Sequence, residues 1–134
     1  MSKWTTLDRV VYLEPGKGAQ ALRNVTNTLS ILDSHFPRFP VMPGVLILGS
    51  LGELAALLLK EQTGKTWRMA GAEQIRFRQF IQPGDQMELT IELKKTSAEA
   101  AVCSGSVKVE GKLMTTARQI RLIPLDSAET GATA

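Results

Sequence analysis

The chain holds one cysteine, one histidine and 5% aromatic residues among 134. A lone Cys103 closes no intrachain disulfide, and a single Cys with a single His assembles no cysteine metal site, so the thiol reads as packing within a predicted strand. No metal and no cofactor are expected. The aromatics Trp4, Tyr12, Trp67 and four Phe are scattered instead of interleaved with a Lys/Arg stripe, which argues against a nucleic-acid stacking platform. Charge is modest too: the net +3 and pI near 9.2 favour encounter with an acidic partner without implying nucleic acid. Long apolar runs are absent. Val45 to Leu59 is interrupted by Ser50, Gly52 and Glu53 and falls short of the roughly 20 residues a membrane span needs. Met1 to Val10 carries Lys3, Asp8 and Arg9 with no apolar stretch, which predicts no secretory signal and a cytoplasmic setting.

What is present fits one domain over residues 1–125, followed by a small, polar tail, 126–134, that is expected to be disordered. Leu7 to Leu13 and Ala19 to Val25 are β-prone and flank the turn signal Glu14-Pro15-Gly16-Lys17-Gly18, a hairpin pattern. Pro37, Pro40 and Pro43 keep Thr26 to Pro43 out of regular helix and central strand. Pro43 suits a helix's first turn, and the apolar run to Lys60, stopped by Thr63-Gly64, predicts about four turns of buried helix. Trp67 to Ile81 reads as a strand ending at the turn Gln82-Pro83-Gly84-Asp85. Met87, Leu89, Ile91 and Leu93 alternate with Glu88, Thr90, Glu92 and Lys94, the period of a half-buried strand. Ala101 to Val109 and Leu113 to Ile123 complete an α+β pattern, an antiparallel sheet wrapped around one helix. A helix apolar nearly all round needs cover that one sheet face cannot supply, so a homodimer is expected.

The run His35-Phe36-Pro37-Arg38-Phe39-Pro40-Val41-Met42-Pro43-Gly44-Val45-Leu46 resembles the active-site signature of the 3-hydroxyacyl-acyl carrier protein dehydratases. Asn24-Val25-Thr26, and Phe77 to Asp85 with its Pro83-Gly84-Asp85 turn, resemble flanking segments of that family, so the likeness covers most of the chain. It implies a hotdog fold, dimers or dimers assembled further with sites at their interface, and dehydration of a (3R)-hydroxyacyl thioester on acyl carrier protein. His35 matches the family histidine; an imidazole titrating near neutrality can take the C2 proton and return one to the leaving hydroxyl without a metal. Gly44 matches the glycine that opens the central helix, whose N–H can polarise the thioester carbonyl. Phe36, Pro43 and Gly49 join it as substrate-side residues, the prolines chiefly shaping the loop.

The likeness breaks at one position. The family carries Glu or Asp fourteen residues after the histidine, and this chain has Gly49 there. Glu53, one helical turn further on the same face, is the nearest substitute catalytic carboxylate, although the family often has glutamine there. Close helix-to-sheet packing is the structural alternative for Gly49, Ser50 and Gly52. Three readings follow: a dehydratase in fatty acid or polyketide-type biosynthesis using His35 with Glu53 or a water, a hotdog thioesterase, and an incomplete subunit or carrier-binding module that pairs with a second hotdog chain. The partner is an acyl carrier protein or coenzyme A thioester. Arg76 and Arg78 are the strand cations best placed to meet an acidic carrier.

Overall fold

The computed structural model describes residues 6–25, 42 and 44–125. Six strands and one helix follow in chain order: β1 (Arg9–Glu14), β2 (Gly18–Asn24), α1 (Gly44–Thr63), β3 (Trp67–Phe77), β4 (Gln86–Thr96), β5 (Ala101–Val109) and β6 (Lys112–Pro124). The strands form one antiparallel sheet in the order β1-β2-β4-β5-β6-β3, with the helix lying across one face. This is the hotdog arrangement that the sequence predicts. The tail beyond Leu125 lies outside the described residues.

The alternation in β4 delivers Met87, Leu89 and Ile91 to the helix side, where all three are buried. Beside them in register stand Ala21, opposite Leu89, and Ala19, opposite Ile91; these small side chains leave room for the helix. On the helix, Leu51, Leu54, Ala55, Leu58 and Leu59 are fully buried against that surface. Cys103 belongs to the same core, and burial pushes its thiol pKa up to about 11, so it stays protonated and unreactive as the packing residue expected.

One length and one boundary differ from expectation. The helix's 20 residues, Gly44–Thr63, make more than about four turns, although it stops at Thr63-Gly64 as the sequence predicts. There Gly64, at a φ of +77°, donates its N–H to the Lys60 carbonyl at 2.8 Å, while the Thr63 hydroxyl caps the Leu59 carbonyl and accepts the Trp67 indole N–H. β3 is shorter, ending at Phe77 and not at Ile81. Past that point the Arg78 and Gln79 N–H groups both reach the Met114 carbonyl, so the ladder converges on one acceptor and the chain leaves the sheet. The expectation that the helix is apolar nearly all round holds for its sheet side, while Val45 stays 71% exposed and Lys60 and Glu61 face solvent. Among the described residues no helix is long and apolar enough to cross a membrane.

Candidate active site

The three sequence segments that carry the family likeness meet at one place. The turn at residues 81–85 is closed by the Asp85 side chain, which accepts the Gln82 N–H at 2.8 Å, and by a backbone bond from Asp85 N–H to the Gln82 carbonyl. Val25, at the end of β2, exchanges backbone hydrogen bonds with this turn, donating to Asp85 at 2.9 Å and accepting from Gly84 at 2.8 Å. Met42, just before the helix, donates to the Ile81 carbonyl at 2.6 Å. The chain between Val25 and Met42 therefore leaves from and returns to the same short turn. His35, in that segment, and its neighbour Phe36 lie outside the described residues, as does Pro43.

Gly44 is the first residue of the helix, where backbone N–H groups have no intrahelical partner and no acidic side chain occupies the first turn. A Cβ here would stand 2.7 Å from the Phe77 ring, so only glycine lets the helix start lie against that aromatic. The positive end of the helix dipole thus opens beside an aromatic wall, an arrangement that can stabilise an oxyanion.

Gly49 and Gly52, one turn apart, have different reasons. A Cβ on Gly52 would press into Met69, 2.9 Å from its sulfur, so close helix-to-sheet packing explains that glycine. Gly49 is exposed, and a Cβ there meets nothing within 4 Å among the described residues. Packing among the described residues therefore does not account for it, and among them the position expected to carry a carboxylate has space for one.

Glu53 is hydrogen-bonded to Thr6. Its two carboxylate oxygens accept the Thr6 backbone N–H at 3.1 and 3.0 Å, and one accepts the Thr6 hydroxyl at 2.7 Å, tying the segment before β1 to the helix. Arg23 sits between this carboxylate and Asp8: burial lowers its pKa, and the charges of Glu53 and Asp8 oppose that shift. Its register opposite Met87 turns it toward the helix, where its guanidinium donates to the Ser50 hydroxyl at 2.5 Å and Ser50 passes a bond to the Leu46 carbonyl at 3.1 Å. Asp8 in turn accepts the Asn24 N–H at 2.6 Å. Sequence reasoning missed Thr6, Asp8 and Arg23 in this network. The available signal was Ser50, a polar residue in an apolar helix with no stated partner.

Comparison with known proteins agrees with this geometry. Residues 2–118 match the model of the FabA-like domain family. A protein of Bacillus velezensis named 3-hydroxyacyl-[acyl-carrier-protein] dehydratase FabZ is 36% identical over 111 residues, covering 81% of this chain and 79% of its own. The same-named protein of Enterococcus faecalis is 42% identical over 109 residues, covering 79% and 77%. Among solved structures, the dehydratase heterocomplex ApeI:P of Xenorhabdus doucetiae superposes with a TM-score of 0.77 at 10% identity, over 96% of this chain and 88% of that one, and shares the fold.

Proposed function

We infer the activity from one premise: this chain belongs to the FabA-like domain family. It is a 3-hydroxyacyl-acyl carrier protein dehydratase, converting a (3R)-hydroxyacyl thioester to the trans-2-enoyl thioester and water in fatty acid or polyketide-type biosynthesis. The observation that carries this reading is the helix start, where Gly44 brings N–H groups with no intrahelical partner beside Phe77 in a chain aligned over four fifths of its length with named dehydratases.

In this reading the thioester carbonyl accepts a hydrogen bond from the N–H at Gly44. The His35 imidazole takes the C2 proton, and the electron pair left on C2 is delocalised onto the polarised carbonyl. The pair then returns to form the C2–C3 double bond as the C3–O bond breaks. His35, now imidazolium, gives its proton to the departing hydroxyl, so water leaves and the imidazole is restored. Phe36 and Pro43 shape the approach to this centre. Glu53, held by Thr6, fixes the N-terminal segment, and in this reading His35 performs both transfers.

A second reading draws on the open space over Gly49. The protein would then be one half of a dehydratase, with the carboxylate supplied by a second hotdog chain; a homodimer would carry it on neither copy. Incubation of the purified chain with 3-hydroxyacyl-acyl carrier protein tests the first reading, with trans-2-enoyl product expected. Activity appearing only on addition of a carboxylate-bearing hotdog subunit selects the second, and release of free acid selects a thioesterase.

A further inference from the structure

A groove of about 620 Å³ runs where β3, β6 and β5 meet. Arg76, Arg78, Arg118, Gln74, Ser104 and Thr116 line it. Its shape has a backbone cause. Gln74 and Arg118 fall between the paired rows Glu73 with Gln119 and Ile75 with Ala117, and Gln74 takes a left-handed φ of 55°, unusual for a residue with a side chain. The β5–β6 register also slips between Cys103 and Gly105, alongside Arg118. Such irregularities re-aim side chains locally.

The charge in the groove is one-sided. Among the described residues no ion pair engages Arg76, Arg78 or Arg118; the nearby acid on β3, Glu73, is paired with Arg121 at 3.3 Å. Three guanidiniums flanked by two hydroxyls and an amide present donors to an anion with several acceptor oxygens, the geometry in which arginine binds phosphate through paired hydrogen bonds. The groove also has a direction. Arg78 lines a second hollow with Phe77, Gln79 and Phe80, and the Phe77 ring lies against Gly44 at the helix start.

We propose that this groove is a phosphate subsite that takes the phosphate of the pantetheine arm of the acyl thioester, the arm then passing Phe77 and Phe80 to bring the thioester to Gly44. The assignment rests on the dehydratase reading for the identity of the thioester, and names where its carrier is held. Carrier-protein and coenzyme A thioesters both bring this phosphate, and the test separates them.

The double variant Arg76→Gln/Arg118→Gln is compared with the parent on one 3-hydroxyacyl chain carried by acyl carrier protein, by coenzyme A and by phosphate-free N-acetylcysteamine. Coenzyme A binding is measured by calorimetry on both proteins. Loss of two charge-assisted contacts should lower kcat/KM on both phosphate-bearing thioesters about tenfold or more relative to the N-acetylcysteamine thioester, and weaken coenzyme A by a similar factor. A loss confined to the carrier-protein substrate would mean contact with the carrier's acidic surface and would overturn the phosphate assignment. Equal losses on all three substrates would overturn it as well, because the arginines would then be supporting the fold. If the parent turns over none of the three, the dehydratase reading fails, and coenzyme A binding alone decides the groove: weakened in the variant it sustains the subsite, unchanged it removes it.

Discussion

The two halves of the central helix are built for different ends. From Glu53 onward, Leu54, Ala55, Leu58 and Leu59 are fully buried and the half is fixed by apolar packing against the sheet. Before it, Gly44, Gly49, Ser50 and Gly52 interrupt the apolar run and Val45 is exposed; Ile47 and Leu51 are buried there, and an aromatic approach at Phe77, a thioether at Met69 and the Arg23–Ser50 hydrogen bond add to them. Two of those glycines admit a neighbour, and the third, Gly49, has none within 4 Å among the described residues. The difference divides one element: the second half is committed chiefly to packing, while the first combines buried Ile47 and Leu51 with glycines and polar links. The polar links supplement Ile47 and Leu51 in keeping that first half in place.

Substitutions can break this division or sharpen it. The largest effect belongs to the packed half, where Leu54→Asp buries an unpaired charge; a loss of about 3–5 kcal/mol is expected in denaturant unfolding, and an unchanged transition would refute the placement of the helix. In the open half, Gly49→Glu restores a carboxylate where a side chain meets nothing. A rise in dehydration rate on the order of 10-fold is expected, since general acid–base help contributes that much or more. Glu53→Gln keeps the shape and one acceptor for Thr6, so activity should stay within about threefold of the parent and stability should fall by about 1 kcal/mol. A hundredfold loss of rate with unchanged stability would instead make Glu53 the second acid–base group. The smallest effect is Gly49→Ala, which removes a glycine from a helix without a clash and should raise stability by about 0.5–1 kcal/mol in the same unfolding experiment.

Much of the architecture is legible because period-two patterning and turn residues are local signals. Met87 to Leu93 and the Pro83-Gly84-Asp85 turn could be placed from neighbours in sequence alone, and the buried Leu54 and Leu58 from helical spacing. The end of β3 could not, because Phe80 and Ile81 are as β-prone as what precedes them. What stops the strand is a pair of N–H groups sharing the Met114 carbonyl, a long-range partner with no local trace. The site divides the same way. Gly44 and Gly49 stand in a motif whose spacing is contiguous, so both were found. The hold on Glu53 by Thr6, 47 positions away, and the joining of Arg118 to Arg76 and Arg78 depend on chain crossings that one sequence does not display.

The central claim is that His35, with the helix start at Gly44, dehydrates a 3-hydroxyacyl thioester. The most direct test follows interconversion of 3-hydroxyacyl and trans-2-enoyl thioesters by the purified parent chain and by His35→Ala. The account predicts that the parent brings the two thioesters to equilibrium from either side, and that the variant, still folded, loses about 10²–10⁴-fold of that rate. A variant as fast as its parent, or a parent that accumulates free acid with no enoyl thioester, would contradict it.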